Sequence, residues 1–226
     1  MHNIQHKLTQ VLARIRLAAM QADRNPEKIT LLAVSKKKTE QQVLAAYAAG
    51  QRHFGENYLQ EAQAKIAAIT QPDICWHFIG AIQSNKCRAI AANFSWVHSV
   101  NSLKVAQKLS QYRVQTLPPL NICLQVNIDR EQSKAGIFPE QAASLATAVS
   151  QLPNLCLRGL MAIPSASPAQ QCPFVRMAEL FANLKNNAQL ANMDTLSMGM
   201  SSDLEQAITA GANLVRIGTA IFGERS

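Results

Sequence analysis

Residues 29–57, ITLLAVSKKKTEQQVLAAYAAGQRHFGEN, hold the stretch on which the fold turns. An apolar run, Ile29–Lys36, gives way to a helical pattern over 39–49, and a second strand pattern follows over His53–Asn57. Strands alternating with helices of about 10–15 residues read as parallel β-α-β units. The same alternation continues downstream. Further strand patterns lie at Trp76–Gly80, Trp96–Val100, Asn121–Asn127, Leu157–Ile163, Thr195–Met200 and Leu214–Phe222. Helical patterns fall between them near 58–69, 84–92, 102–111, 139–150, 173–190 and 203–210, and one more, about 4–22, precedes the first strand. Eight such units predict an α/β fold, a single-domain (β/α)8 TIM-like barrel with an extra N-terminal helix, spanning 1–226. An open doubly wound sheet is the competing arrangement. The Pro/Ser-rich stretch Pro164–Pro173 reads as a long loop after the sixth strand, and no residues are left after the eighth for a second domain.

The chain's 226 residues suffice for a sizeable core. With 48% hydrophobic and 16% charged residues, global disorder is excluded. No apolar run approaches about 18 residues, and the N-terminus alternates polar and apolar residues at helical spacing, unlike a signal peptide. A cytoplasmic protein without a membrane partner is expected. The 22 Lys+Arg against 14 Asp+Glu are dispersed, with a single run at Lys36–Lys38, and aromatics make up 5%. A nucleic-acid binder concentrates its charge on one face, so no specific nucleic acid is expected, though the +8 charge suits phosphorylated small molecules. The five cysteines are odd in number, and none forms a C-x-x-C pair. Cys123 and Cys156, in apolar runs, read as small core residues.

In a barrel, chemistry collects where C-terminal strand ends meet the following loops. Lys36 ends the first strand and shares the parity of Leu32 and Val34; if that side is the barrel interior its amine stands over a hydrophobic floor, whereas the plainer reading of Lys36–Lys38 is the start of a solvated loop. Desolvation there favours the neutral amine that imine formation requires. Lys37 has the wrong parity and Lys38 lies beyond the strand. After the seventh strand, Gly199, Ser201 and Ser202 make a candidate anion site, and Ser202 with Glu205 fits a capping box; the alternative is that the two serines only cap the helix, with Asp203 and Glu205 repelling a phosphate. Arg216, Gly218 and Thr219 stand at the end of the eighth strand, and the loops after strands seven and eight are where barrels usually hold phosphate. Asn57 ends the second strand and is suited to bonding a ring substituent, whereas Glu56, of opposite parity, is expected to pair with a basic group. Gln83 and Asn85 are candidate polar loop contacts. His53, His77 and His98 fall on three consecutive strands, but His53 and His77 lie near strand starts and no H-x-H or H-E-x-x-H occurs, so no metal is expected. No G-x-S-x-G elbow supports a serine hydrolase.

Taken in order, LLAVSK (31–36), FGENY (54–58), WHFIG with QSNK (76–80, 83–86), GLMAIP (159–164), GMSSD (199–203) and VRIGTAIFG (215–223) resemble the pyridoxal 5′-phosphate (PLP) homeostasis proteins over essentially the whole chain. The resemblance implies a barrel similar to the N-terminal domain of alanine racemase, with PLP as cofactor. It implies that Lys36 forms the aldimine, that Ser201, Gly218 and Thr219 hold the phosphate, that Arg216 lies near the cofactor and that Asn57 flanks the ring. Lys134, in QSKAG, matches a lysine that the family carries near the site. Departures are small: Lys37 and Thr39 follow the reactive lysine where the family often has Thr and Pro, and Gly80-Ala81-Ile82-Gln83 replaces its usual GPLQ. The implied role is PLP (vitamin B6) homeostasis without turnover or a catalytic residue, with PLP-dependent apo-enzymes as candidate recipients; without a second domain to supply the racemase dimer interface, a monomer is expected. The alternative is a PLP-dependent amino-acid racemase or decarboxylase. Racemisation needs a base on each face of the substrate, and Tyr58 is the one substitute for the tyrosine that alanine racemase supplies across a dimer.

Overall fold

The computed structural model describes residues 2–164 and 172–224. Its strands are β1 (Thr30–Val34), β2 (His53–Glu56), β3 (Cys75–Phe78), β4 (Trp96–Val100), β5 (Leu120–Val126), β6 (Leu155–Ala162), β7 (Thr195–Ser197) and β8 (Leu214–Ile217). They pair in parallel in sequence order, and β8 returns to β1 through Thr30–Leu214 to Ala33–Ile217, closing a barrel. Around it run α1 (His2–Gln21), α2 (Glu40–Ala48), α3 (Leu59–Ala68), α4 (Cys87–Asn93), α5 (Leu103–Tyr112), α6 (Ala142–Ser150), α7 (Pro173–Lys185), α8 (Leu204–Thr209) and α9 (Thr219–Phe222). The expected (β/α)8 barrel with an additional first helix is what forms.

Alternation along each strand builds two cores. Leu31, Ala33, Phe54, Phe78, Val97, Ile122, Leu124, Leu160, Val215 and Ile217 are buried outward against the helices. Leu32, Val34, Cys123, Met161 and Leu214 are buried on the barrel side and take no part in that outer cluster. The first helix lays Leu8, Val11, Ile15, Ala18 and Ala19 on the outer core and packs against α8 and α9.

The lower barrel is polar inside and its bonds form one chain. His53 Nδ1 lies 3.0 Å from His77 Nε2, His77 Nδ1 lies 2.9 Å from His98 Nε2, and His98 Nδ1 lies 3.0 Å from Ser197 Oγ. Arg216 then donates to Ser197 Oγ at 2.9 Å, to Ser197 O at 2.7 Å and to Ala162 O at 2.8 Å. Burial keeps the imidazoles neutral: it drives His77 well below its ordinary pKa and His98 down to about 3.

Several expectations need correction. The final apolar run divides: β8 stops at Ile217, and Thr219–Phe222 is a short helix whose Ile221 and Phe222 amides donate to Gly218 O. Both side chains are buried, and a short buried helix cannot be told from a strand by apolarity alone. The first strand stops at Val34, two residues before Lys36. Cys123 is buried as expected, but Cys156 is exposed near the start of β6, on the side opposite Leu155 and Leu157, which pack on the outer core. In the loop read at Pro164–Pro173, residues 165–171 lie outside the described residues.

Candidate functional site

At the C-terminal end of the barrel the first turn after β1 is held from several sides. Ser35 N–H donates to Gly55 O at 3.0 Å, extending the β1–β2 ladder by one residue. Ser35 Oγ donates to Glu56 Oε1 at 2.6 Å, and Lys65 Nζ, from α3, donates to Ser35 O at 2.7 Å and to Glu56 Oε1 at 2.8 Å. Lys65 also donates to Glu61 Oε1 at 2.6 Å, and that oxygen accepts the Lys37 amide at 2.5 Å. These bonds hold Lys37 at φ +58°, a left-handed conformation that a non-glycine residue adopts only when its surroundings impose it. Half-buried Lys36 sits at the head of this turn.

Lys36 lines a cavity of about 340 Å³ together with Val34, Asn57, Ile79, Met161, Ile163, Met200, Ser201, Ser202, Arg216, Gly218 and Thr219. All six residues singled out for a cofactor, Lys36, Asn57, Ser201, Arg216, Gly218 and Thr219, therefore meet in one place, although they come from four strand ends. Such a volume is within the usual range for small-molecule sites. Val34, Ile79, Met161, Ile163 and Met200 make its apolar part. Arg216 is buried, and among the described residues no carboxylate pairs with it. Burial lowers its pKa to about 10, partly opposed by Asp203, so it stays charged at neutral pH. Asn57 Oδ1 is buried without a protein partner. A buried amide oxygen in that state, a guanidinium held only by neutral acceptors, and an amine on an over-determined turn suit a small anionic ligand with a polar ring.

Two neighbouring features shape the wall. Gly80 lies so close to Asn57 that a Cβ there would stand 2.0 Å from Asn57 O, which explains the glycine following WHFI. Burial raises the Glu56 carboxyl above its ordinary pKa, opposed by the Lys65 ammonium, and Glu56 Oε2 has no partner. Glu56 does pair with a basic group, as its parity predicts.

Other expectations fare differently. The Ser202–Glu205 capping box does not form. Asp203 accepts the Met200 amide at 2.6 Å to close the turn before α8, and Glu205 is drawn to Arg14 of α1, which donates to it at 2.9 and 3.1 Å. Arg14 also donates to Ser201 O at 3.1 Å, tying the first helix to the cavity rim. Lys134 pairs with Glu131 at 2.9 Å and does not line the cavity. Gln83, with Tyr58 and Lys86, lines a neighbouring cavity of about 280 Å³. The sequence reading missed Lys65, Arg14 and Gly80. Only Glu61 and Lys65, four residues apart in a helical pattern, left a local signal.

The chain matches the family described as alanine racemase, N-terminal domain, over residues 8–226. It is 55% identical to a pyridoxal phosphate homeostasis protein of Pseudomonas aeruginosa, covering 100% of this chain and 97% of that one. It is 48% identical to a protein of the same name from Escherichia coli K12, covering 100% and 98%. Among solved structures it resembles PipY of Synechococcus elongatus with PLP bound, with a TM-score of 0.83, 36% identity and coverage of 97% and 100%.

Proposed function

Because the chain belongs to the pyridoxal phosphate homeostasis proteins, built on the alanine racemase N-terminal domain, we propose that it binds PLP reversibly, as one cofactor-binding unit over 1–226. Its role is to limit and supply the free cofactor in the cytoplasm as a monomer, with no turnover of its own. The relatives at 45–55% identity carry the homeostasis name and not that of an enzyme.

The observation that carries this reading is the convergence of Lys36 with Arg216 and the unpartnered Asn57 amide on one cavity. PLP brings an aldehyde, which condenses with a primary amine with loss of water, and a phosphate dianion. Lys36 is the amine, held at the head of its turn by the Ser35–Glu56–Lys65 bonds. Ser201, Gly218 and Thr219 take the phosphate. Arg216 supplies the fixed positive charge, and Asn57 gives its amide to the ring. Val34 and Met161 give the cavity an apolar wall. Reversible holding requires that these contacts bind without committing the cofactor to chemistry, and PLP-dependent apo-enzymes are the recipients.

The test is the visible spectrum of the purified protein, then borohydride reduction and peptide mapping. A yellow protein with its pyridoxyl group on Lys36 is expected. A colourless protein that takes up no added PLP overturns the reading. For the racemase or decarboxylase alternative, Tyr58 is the residue to watch. It is 49% exposed and lines the neighbouring cavity rather than that of Lys36. Turnover of amino acids at about 1 s⁻¹ or faster would decide for an enzyme.

A further inference from the structure

We propose that His53, Cys75 and His77 form a binding site for a Zn²⁺-class divalent metal at the N-terminal end of the barrel, opposite the cavity of Lys36. Cys75 and His77 stand two residues apart on β3, and His53 is the register partner of Cys75 on β2, so all three share the barrel-facing side. Their ligand atoms lie within 4.8 Å of one another. His53 Nδ1 and His77 Nε2 are 3.0 Å apart, close to the roughly 3.3 Å that two nitrogens subtend about a tetrahedral zinc with bonds of about 2.0–2.1 Å. The sulfur needs to close by roughly 1 Å, the scale of a side-chain adjustment. Two imidazoles and a thiolate, formed as the metal displaces the Cys75 Sγ proton to solvent, are the donor set that borderline-soft metals prefer. In the sequence these histidines lie at strand starts without an H-x-H spacing, and only the β2–β3 register joins Cys75 to them.

Two further observations point to a ligand. His53 and His77 open onto a cavity of about 380 Å³ that also meets Trp96, Arg158 and Thr195, leaving room for a fourth, exchangeable ligand. Three protein ligands beside an open position are the arrangement of zinc sites that bind exogenous groups. The outer contacts are also in place. Trp96 stacks on the His77 ring at 5.4 Å and 13°, and His77 offers its other nitrogen, Nδ1, to His98. Metal-bound histidines almost always donate that second N–H to a fixed partner.

Occupation would set the tautomers of the chain above it. A metal takes the lone pairs of His53 Nδ1 and His77 Nε2, leaving the His77 proton on Nδ1, where it bonds His98 Nε2. The His98 proton then sits on Nδ1 and is donated to Ser197 Oγ, which also accepts from Arg216. The site is thereby linked to the floor of the other cavity, yet its existence does not depend on PLP.

The experiment uses the full chain with Co²⁺ and Zn²⁺ alone, in a non-thiol reductant and without PLP. One Co²⁺ per chain with a thiolate-to-metal charge-transfer band, displaced by Zn²⁺, is expected. In Cys75→Ser the band should vanish and affinity fall at least about tenfold. His53→Gln, at a half-buried strand start, should weaken binding similarly and serves if Cys75→Ser fails to fold. No stoichiometric uptake by the parent at micromolar metal overturns the site. So does unchanged affinity in either folded variant, which would assign the metal to other surface ligands.

Discussion

A guanidinium buried against carbonyl oxygens, with no carboxylate bonded to it among the described residues, leaves its charge for whatever enters the cavity. Arg216→Gln should therefore weaken PLP binding at least about tenfold, near 1.4 kcal/mol, in an equilibrium titration. Affinity within twofold of the parent would remove Arg216 from the site. Lys36→Ala should abolish the borohydride-fixed pyridoxyl group while leaving weaker binding through the phosphate contacts. A pyridoxyl group still fixed in that variant would point to Lys38 or Lys134. At this scale the sequence was most legible. Lys36, Asn57, Ser201, Arg216, Gly218 and Thr219 each stand at or just beyond a strand end, where position in a barrel already implies the site, and all six line one cavity. What position did not reveal was pairing. Lys134 looked available from its motif, yet it is tied to Glu131, a partner three residues away that a motif does not report.

Between elements, the turn after β1 depends on an ion cluster spanning β2 and α3. Lys65 is 4% exposed and lies between Glu56 and Glu61. Lys65→Met should cost about 3–5 kcal/mol in denaturant unfolding, because it strands the buried Glu56 charge. A loss below about 1 kcal/mol would mean that Glu56 is neutral in the fold. The Glu56 carboxyl titrates above its ordinary value, so as pH rises above about 4.5 the unfolded chain loses that proton before the folded protein does. Its contribution to stability therefore falls as pH rises through that window. Glu56→Gln should gain on the parent with rising pH, and a pH-independent difference would contradict the upward shift. Gly80→Ala should displace the Asn57 backbone and lower PLP affinity, since its Cβ has nowhere to go. The sequence could not show this network, because Lys65 joins it only once α3 lies across the β1–β2 edge.

Across the whole molecule the alternation of strand and helix made the barrel legible, while the ends of elements were not. Thr219–Phe222 is apolar enough for either state, and Glu205 has a local capping role available but takes a long-range partner, Arg14. That bridge joins α1 to the rim of the cavity. Its partners are 39% and 46% exposed, so Arg14→Ala should cost less than about 1 kcal/mol of stability. It should nevertheless weaken PLP binding measurably, because Ser201 O loses its tether. Unchanged affinity would show that the rim holds itself.

The seam of the barrel joins β1 to β8, which lie far apart along the chain, and the cavity draws on both sides of it. A ribosome adding about 5–20 residues each second must reach β8 before Lys36 can share a pocket with Arg216 and Thr219. The growing polypeptide thus exposes the Lys36 amine for many seconds before the cavity surrounds it. Cofactor capture becomes a late event in biosynthesis, and a ligand that binds only the closed barrel pulls newly made chains toward closure.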